Sequence, residues 1–257
     1  MELNADFSQR AVVHAARLAW TPSPIAGVER RMLDRIGGEV ARATSIVRYA
    51  PQSRFTAHTH AGGEEFLVLD GVFQDEYGSF PAGFYIRNPP TSSHTPGSTP
   101  GCTIFVKLWQ FDPDDRTHVR IDTAKMAYVP DPKRAGLELM PLFQDERESV
   151  RLERWAPNAE IVLPAAAGIE LLVLDGGFSD GGESFEPQSW LRLPAGATAR
   201  AKAGASGCRV WVKTGHLAHR QIAPAAATFS RPNSPLGVLT SSESDERTSA
   251  RAPATIP

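Results

Sequence analysis

The chain has 257 residues, 41% of them hydrophobic, which is enough to bury a core in one large domain or two ordinary ones. Its 27 lysine and arginine residues nearly balance 29 aspartate and glutamate residues, so we expect neither nucleic acid nor an anionic membrane as a partner. No apolar run reaches the length of a membrane helix, and residues 1–10 lack the apolar core of a signal peptide. A cytoplasmic protein is expected.

The first third of the chain contains short alternating runs separated by turn residues, a pattern typical of strands in a sandwich or barrel. These predicted strands include residues 10–14, 30–33 and 43–49. Long helical periodicity is absent from the sequence. His14 lies in the first run, and we expect it to be an ordinary strand residue rather than a metal ligand.

A candidate metal site begins with two histidines, His58 and His60. Because one residue separates them, both side chains point to the same face of an extended chain and can bind one ion. Residues 61–63, Ala-Gly-Gly, must then reverse the chain, which glycines do without steric cost. Glu64 is thereby expected to return beside the histidines on the neighbouring strand.

A further imidazole, His94, follows the proline pair 89–90, which ends the preceding strand because proline donates no ladder hydrogen bond. Three imidazoles and one carboxylate suit zinc, iron, manganese, nickel or copper, and suit magnesium or calcium poorly. We predict that His58, His60, Glu64 and His94 bind one divalent transition-metal ion. Zinc is the expected ion, with iron or manganese as alternatives.

The run from His58 to Gly71 resembles the first cupin motif, in which His-x-His is followed by a glutamate and then by a glycine. Residues 81–83 match the Pro-x-Gly of the second cupin motif, and His94 lies further along the chain than that motif usually places its histidine. The sequence is similar to the cupin domain of ChrR-type anti-sigma factors, closely over residues 10–112 and more faintly beyond. This resemblance implies a barrel that holds zinc through three histidines and one glutamate.

The sequence repeats with a period of about 105 residues. The run Leu-Val-Leu-Asp-Gly at residues 67–71 recurs at residues 172–176, and residues 105–107 correspond to residues 211–213. We therefore predict an all-β fold of two tandem cupin barrels, which are double-stranded β-helices or jelly rolls. The expected units are a metal-binding barrel with N-terminal strands at residues 1–115, a degenerate metal-free barrel at residues 116–222, and an edge strand with a mostly disordered tail at residues 223–257.

The second repeat indicates which of two adjacent glutamates binds the metal. Ile169 occupies the place of Glu64, whereas Glu170 preserves the charge of Glu65. An isoleucine at the first position indicates that Glu64 faces the barrel interior, and Glu65 is expected to face out.

The other donors are also missing from the second repeat. His58 and His60 correspond to apolar or small residues within residues 163–166, and His94 corresponds to Ala199. We predict that the second barrel binds no metal and serves as structural support or, at most, as a small-ligand pocket.

Two cysteines, Cys102 and Cys208, open equivalent strands of the two repeats and are too few for a disulfide framework. We expect them to be buried thiols in two cores. His216 and His219 have a spacing that could bind metal from a helix turn, but no acidic or thiol residue lies near them in the sequence. We expect no second metal site there.

Two functions from different classes fit this pattern. The resemblance implies a metal-binding regulatory, sensor or ligand-binding protein, and because the cupin region begins close to Met1 we expect the helical sigma-binding domain of that family to be missing. The alternative is a non-haem metal-dependent dioxygenase that cleaves a small diketone or a hydroxyacetophenone-like substrate. Four protein ligands close a tetrahedral zinc shell, whereas octahedral iron or manganese would keep two positions for substrate and oxygen.

The sequence leaves enzyme activity open and assigns no catalytic residue. Tyr77, Phe84, Tyr85 and Trp109 could line a pocket for a small-molecule ligand in the first barrel, although core packing explains these aromatic residues as well. A third hypothesis is a purely structural protein whose ion holds the barrel together. A homodimer formed through edge strands is compatible with the fold.

Overall fold

The computed structural model describes residues 1–38 and 40–219, and within them it contains strands and three short 3-10 helices. No helix in this part of the chain is both long and apolar enough to cross a membrane. The edge strand and disordered tail predicted for residues 223–257 lie outside the described residues.

The first half, residues 1–115, folds mainly as strands. They are β1 (Glu2–Leu3), β2 (Ala11–His14), β3 (Thr21–Pro22), β4 (Val28–Gly37), β5 (Ala41–Tyr49), β6 (Ser53–Arg54), β7 (His58–Thr59), β8 (Glu64–Asp75), β9 (Gly78–Pro81), β10 (Phe84–Asn88), β11 (Ser93–His94), β12 (Gly97–Ser98) and β13 (Cys102–Leu108), and one 3-10 helix spans Ala15–Arg17.

The second half, residues 116–219, repeats this pattern. Its strands are β14 (Val119–Asp122), β15 (Val129–Pro130), β16 (Leu137–Gln144), β17 (Ser149–Trp155), β18 (Glu160–Ala165), β19 (Ile169–Asp180), β20 (Glu183–Phe185), β21 (Ser189–Leu193) and β22 (Ala197–Thr214), and its 3-10 helices span Thr123–Lys125 and His216–His219.

Each half is built on one large antiparallel sheet. The strand order is β1-β4-β5-β13-β8-β10-β14 in the first sheet and β15-β16-β17-β22-β19-β21-β2 in the second. Strands β7 and β11 form a separate pair beside the first sheet. The predicted all-β fold of two repeated units is confirmed, although strand pairing among the described residues does not close either large sheet into a ring.

The two halves exchange one strand each. Strand β2 pairs with β21 of the second half, where Val12 lies opposite Leu191. Strand β14 pairs with β10 of the first half, where Ile121 lies opposite Tyr85. Each sheet is therefore completed by a strand from beyond the predicted boundary between residues 115 and 116.

Apolar side chains form one core within each half and a third cluster, the seam, between them. Side-chain alternation along β8 explains how one strand serves two clusters: Phe66 packs inside the first half, and Leu67 packs in the seam. Two equivalent residues of the repeats, Phe105 and Trp211, meet edge-on in the seam with ring centroids 4.9 Å apart. The two repeats thus face each other through corresponding surfaces.

The predicted burial of the two thiols is confirmed. Cys102 belongs to the core of the first half and Cys208 to the core of the second, and each is 4% exposed. Burial raises the pKa of Cys102 to about 11 and that of Cys208 to about 12, so both remain protonated at neutral pH.

The seam also buries two ion pairs. Nζ of Lys213 lies 2.5 Å from Oε2 of Glu65, and Lys107 pairs with Glu170 in the reciprocal arrangement. Lys107 and Lys213 are equivalent in the repeats, as are Glu65 and Glu170, so the same two positions are used twice.

The expectation that Glu65 faces out is wrong, because its side chain does not reach solvent. Its side chain points away from the histidines but ends in the seam, where the residue is 1% exposed. The Tyr85 hydroxyl donates a hydrogen bond to Oε1 of Glu65 at 2.8 Å. Burial opposes ionisation, but the charges of Lys213 and Arg87 hold the pKa of Glu65 below its usual value. The charge survives in both repeats because a lysine from the opposite half compensates it.

Candidate metal centre

The four residues predicted as metal ligands converge on one place. His58 in β7 lies directly opposite His94 in β11, His60 follows β7, and Glu64 opens β8. Donor atoms of the three histidines lie within 4.8 Å of one another. Oε2 of Glu64 lies 3.3 Å from Nε2 of His60 and 3.6 Å from Nε2 of His94. The structure therefore brings all four side chains together, and their role as ligands stays a prediction.

The glycine turn before Glu64 brings this carboxylate back beside His60 as predicted, but β8 belongs to the large sheet and does not pair with β7, whose partner is β11. Gly63 has φ +77°, a left-handed conformation that glycine adopts without steric cost. A Cβ on Gly62 would lie 2.2 Å from the Trp109 ring, and one on Gly63 would lie 2.4 Å from the Phe111 ring. The backbone shape of the turn therefore requires Gly63, and its packing against these rings requires both glycines.

Hydrogen bonds fix the orientation of the imidazoles by occupying their Nδ1 atoms. In His60 and His94 the other ring nitrogen, Nε2, is buried and has no hydrogen-bond partner among the described residues. The partners of Nδ1 are the Thr56 carbonyl oxygen for His58 at 3.3 Å, the Ser92 hydroxyl for His60 at 3.1 Å, and the Asp75 carboxylate for His94 at 3.3 Å.

These contacts also decide the tautomers of two rings. Ser92 donates its one hydroxyl proton to the Pro89 carbonyl at 2.6 Å, so His60 must donate from Nδ1 to the Ser92 oxygen. An ionised Asp75 can only accept, so His94 also carries its proton on Nδ1. In their neutral forms, both rings therefore present an Nε2 lone pair to the Glu64 carboxylate.

The carboxylate at the centre is ionised at neutral pH. Burial opposes the charge, but the polar contact with His60 and the electrostatic influence of the other two histidines lower the pKa of Glu64 to about 2. Burial lowers the pKa of His58. Burial also opposes protonation of His94, but the hydrogen bond to Asp75 and the nearby carboxylates raise the pKa of this imidazole. The Nε2 lone pairs of His60 and His94 lie 3.3 and 3.6 Å from the buried Glu64 carboxylate, and a cation between these groups would stabilise them.

Two residues that hold the ligands in place are missed by the sequence analysis. Asp75 belongs to a stretch that reads as a polar turn, yet its side chain is 1% exposed against His94. Nδ2 of Asn88 donates to Oε2 of Glu64 at 3.3 Å. The repeat contains a signal for Asn88, because its equivalent is the apolar Leu193.

In the second half, apolar residues occupy the equivalent positions. Leu163 lies opposite Ala199, as His58 lies opposite His94. With Ile169, these residues belong to the apolar core of the second half. These positions carry no metal-binding group, and the absence of metal from the second half stays a prediction.

The aromatic residues considered as pocket lining are dispersed. Tyr77 is 60% exposed, Tyr85 lies in the seam, and Phe84 packs against Phe80 with ring centroids 5.4 Å apart. Phe73 instead lies beside the histidines, with its ring centroid 5.7 Å from that of His94.

The four donors are not equally accessible. His60, Glu64 and His94 are buried, whereas His58 is exposed. The site is therefore open to solvent on the side of His58.

Outside the site, His216 is buried with Nε2 3.1 Å from Oε1 of Glu170.

The family model described as the ChrR Cupin-like domain matches the sequence twice, over residues 8–112 and 116–218. The chain belongs to the ChrR cupin-like domain family. Both repeats of this ChrR cupin-like chain are thus family domains, including the second, whose donor positions are apolar. No curated protein matches the chain.

Several solved structures share the fold of this ChrR cupin-like chain. A candidate dioxygenase from Nostoc punctiforme is 16% identical, with 86% of this chain and 87% of that chain covered and a TM-score of 0.69. Protein Ylba from E. coli is 13% identical, with coverages of 81% and 91% and a TM-score of 0.62. The bacterial pirin YhhW from Escherichia coli, in complex with nickel(II), is 14% identical, with coverages of 80% and 99% and a TM-score of 0.57. At these identities the similarity shows the fold alone.

Proposed function

We propose that this ChrR cupin-like chain binds one divalent transition-metal ion through His58, His60, Glu64 and His94 and acts as a regulatory sensor or small-ligand-binding protein. One observation carries the proposal: the unpaired, buried Nε2 atoms of His60 and His94 converge on the ionised Glu64 carboxylate. Buried polar atoms normally have partners, and a cation would satisfy all of these at once.

The donor set fits a transition metal better than a hard cation. Neutral imidazoles and one carboxylate suit zinc, iron and manganese, whereas calcium and magnesium prefer oxygen ligands. We propose zinc as the ion, with iron or manganese as alternatives. The nickel(II) complex of the pirin YhhW supports a transition metal in a protein of similar fold. When bound, the ion would supply a Lewis-acidic centre inside an otherwise apolar half.

The chain's own residues would prepare and orient this centre. Ser92 and Asp75 hold the imidazole tautomers, and Asn88 orients the carboxylate. Phe73 shields the buried side of His94. The exposed side of His58 would admit a small ligand from solvent, which is the property that a sensor needs.

A second candidate is a dioxygenase that cleaves a small diketone or a hydroxyacetophenone-like compound. Two observations favour it: the solvent-exposed edge at His58, which would let a substrate reach the ion, and the shared fold with a candidate dioxygenase from Nostoc punctiforme. Under this proposal the four side chains hold the ion and Phe73 contributes an apolar wall beside it.

Metal analysis combined with oxygen uptake tests both candidates. The purified protein would be analysed by mass spectrometry for transition metals, then reconstituted separately with zinc and iron(II) and assayed for oxygen consumption with pentane-2,4-dione. Stoichiometric zinc without oxygen uptake supports the sensor, and iron with substrate-dependent uptake supports the dioxygenase. Failure to bind any transition metal, either during expression or on reconstitution, contradicts both.

A further inference from the structure

A cleft of about 490 Å³ opens at the seam, and none of the four candidate metal ligands lines it. Its floor is apolar: Leu67, Met140 and Leu152 line it and are between 1% and 3% exposed. These residues come from both halves, so the cleft exists only because the repeats pack together. Its volume lies within the range of ordinary small-molecule pockets, about 300–1,000 Å³.

Polar groups gather around Tyr128, which also lines the cleft. The Tyr128 hydroxyl oxygen is buried beside the Arg209 guanidinium, and its proton has no acceptor among the described residues. The Arg154 guanidinium stacks 4.1 Å from the centre of the Tyr128 ring, and Arg209 lies beside the same residue. Burial raises the pKa of Tyr128 despite the opposing charges of Arg209 and Arg154, so the hydroxyl keeps its proton at neutral pH and can donate it.

The charge of Arg209 is not neutralised by an ion pair. Arg154 pairs with Glu138 at 3.3 Å, whereas among the described residues no carboxylate lies within ion-pair distance of Arg209. Even Asp175, its cross-strand neighbour, makes no ion pair with it. An apolar floor that ends at the exposed Arg209 and at a hydroxyl whose proton has no acceptor matches a ligand with an apolar body and an anionic head.

The first repeat provides an internal comparison, because the equivalent place is built differently. The aromatic residue there is Trp20, and the guanidiniums of Arg31 and Arg48 both stack on its ring, at 4.2 and 4.4 Å. Thr103 lies opposite Arg48, and Arg209 lies opposite the equivalent Arg154. Thr103 therefore occupies the position of Arg209 in the first repeat. Arg209 is thus a cation that the second repeat has and the first lacks.

We propose that this cleft binds a small amphipathic carboxylate, whose apolar tail lies on Leu67, Met140 and Leu152 and whose carboxylate accepts hydrogen bonds from Arg209 and Tyr128. The site is separate from the metal centre and does not depend on the proposed function.

Isothermal titration calorimetry with octanoate tests the proposal on the full chain. We expect saturable binding of one octanoate per chain, with 1-octanol bound at least about tenfold more weakly because it lacks the charge. Arg209→Thr introduces the residue found at the equivalent strand position of the first repeat and should weaken octanoate binding by about tenfold or more. Arg48→Gln, which removes an arginine from the other repeat, should leave binding unchanged.

A second titration in the presence of EDTA distinguishes octanoate binding in the cleft from octanoate binding to an ion in the metal centre. Octanoate binding that persists with EDTA and falls in Arg209→Thr supports the cleft whatever the metal content proves to be. Binding that EDTA abolishes, binding that Arg209→Thr leaves unchanged, or no saturable heat up to millimolar octanoate would overturn the proposal. Unchanged thermal unfolding of Arg209→Thr confirms that any loss is local.

Discussion

Lys213 of the second half forms a buried ion pair with Glu65 of the first half, across a sequence separation of 148 residues. The equivalent residues Lys107 and Glu170 form the reciprocal pair. Each repeat supplies one positive and one negative charge to the same interface. This arrangement pairs every one of these charges, and a buried charge is costly unless it is paired. The seam therefore specifies how the halves associate as well as burying apolar surface.

Replacement of Lys213 with methionine should destabilise the protein strongly. Lys213 neutralises Glu65 at 2.5 Å and Glu148 at 2.9 Å, so Lys213→Met leaves two buried carboxylates without this cation. We expect a loss of about 3–5 kcal/mol in the free energy of unfolding, measured by urea denaturation. Lys125→Met, at a surface pair with Asp122, serves as the control and should cost less than about 1 kcal/mol. Similar small losses in both variants would contradict this role of the seam.

Glu65 and the exchanged strands show why the sequence predicts the repeats better than their association. Comparison of the repeats identifies Glu64 as the inward residue because Ile169 replaces it, and the structure places Glu64 among the histidines. The same comparison cannot show that Glu65 meets Lys213, because that pairing depends on how one repeat packs on the other.

The histidines of the candidate site are predictable because their donors have a recognisable chemistry and spacing, whereas their supporting residues do not. Asp75 looks like any acidic turn residue until the fold brings its carboxylate to His94. Strand β2 reads correctly as a strand around His14, but its partner, β21, lies in the other repeat. Long-range pairing of this kind leaves no local pattern in the sequence.

The glycine turn before Glu64 should be intolerant of a side chain. Gly63 has a left-handed backbone, and the Cβ of Gly63→Ala would lie 2.4 Å from the Phe111 ring. We therefore expect this variant to lose more unfolding free energy than the roughly 1–2 kcal/mol of backbone strain alone. Gly182→Ala is a matched control, because Gly182 has φ +85° but nothing lies within 4 Å of the added Cβ. Urea denaturation should show a larger loss for Gly63→Ala. Equal losses would show that contact with Phe111 is unimportant.

Stability should fall in mild acid because of His216. Burial, with the charges of Lys107 and Lys213, lowers the pKa of His216 to about 4 in spite of Glu170. Since the unfolded chain takes up this proton near pH 6.5 and the folded chain does so only near pH 4, the contribution is complete above pH 6.5 and is lost as the pH falls towards 4.

The variant His216→Gln isolates this effect. Between pH 7 and 4.5 the wild type should lose about 2–3 kcal/mol more unfolding free energy than His216→Gln. Chemical denaturation of both proteins at the two pH values measures the difference. Parallel losses in the two proteins would assign the acid sensitivity to other groups.

Asp75 should strengthen metal binding without touching the ion. Its carboxylate accepts from Nδ1 of His94, which orients the ring, so Asp75→Asn should weaken zinc affinity by about 10–100-fold. Glu76→Gln is the control, because Glu76 is exposed and accepts from the backbone of Thr95. Competition with a zinc chelator measures both affinities. If the two variants bind zinc equally well, the contact between Asp75 and His94 has no role in binding.

The most direct measurement of the central claim is the metal content of Glu64→Gln and Glu65→Gln, purified beside the wild type and determined by mass spectrometry. Adjacent in sequence, these carboxylates lie in different environments: Glu64 among the histidines and Glu65 in the seam. We predict about one transition-metal ion per chain for the wild type and for folded Glu65→Gln, and a sharp loss for Glu64→Gln. Full metal content in Glu64→Gln, or an equal loss in both variants, would contradict the proposed metal centre.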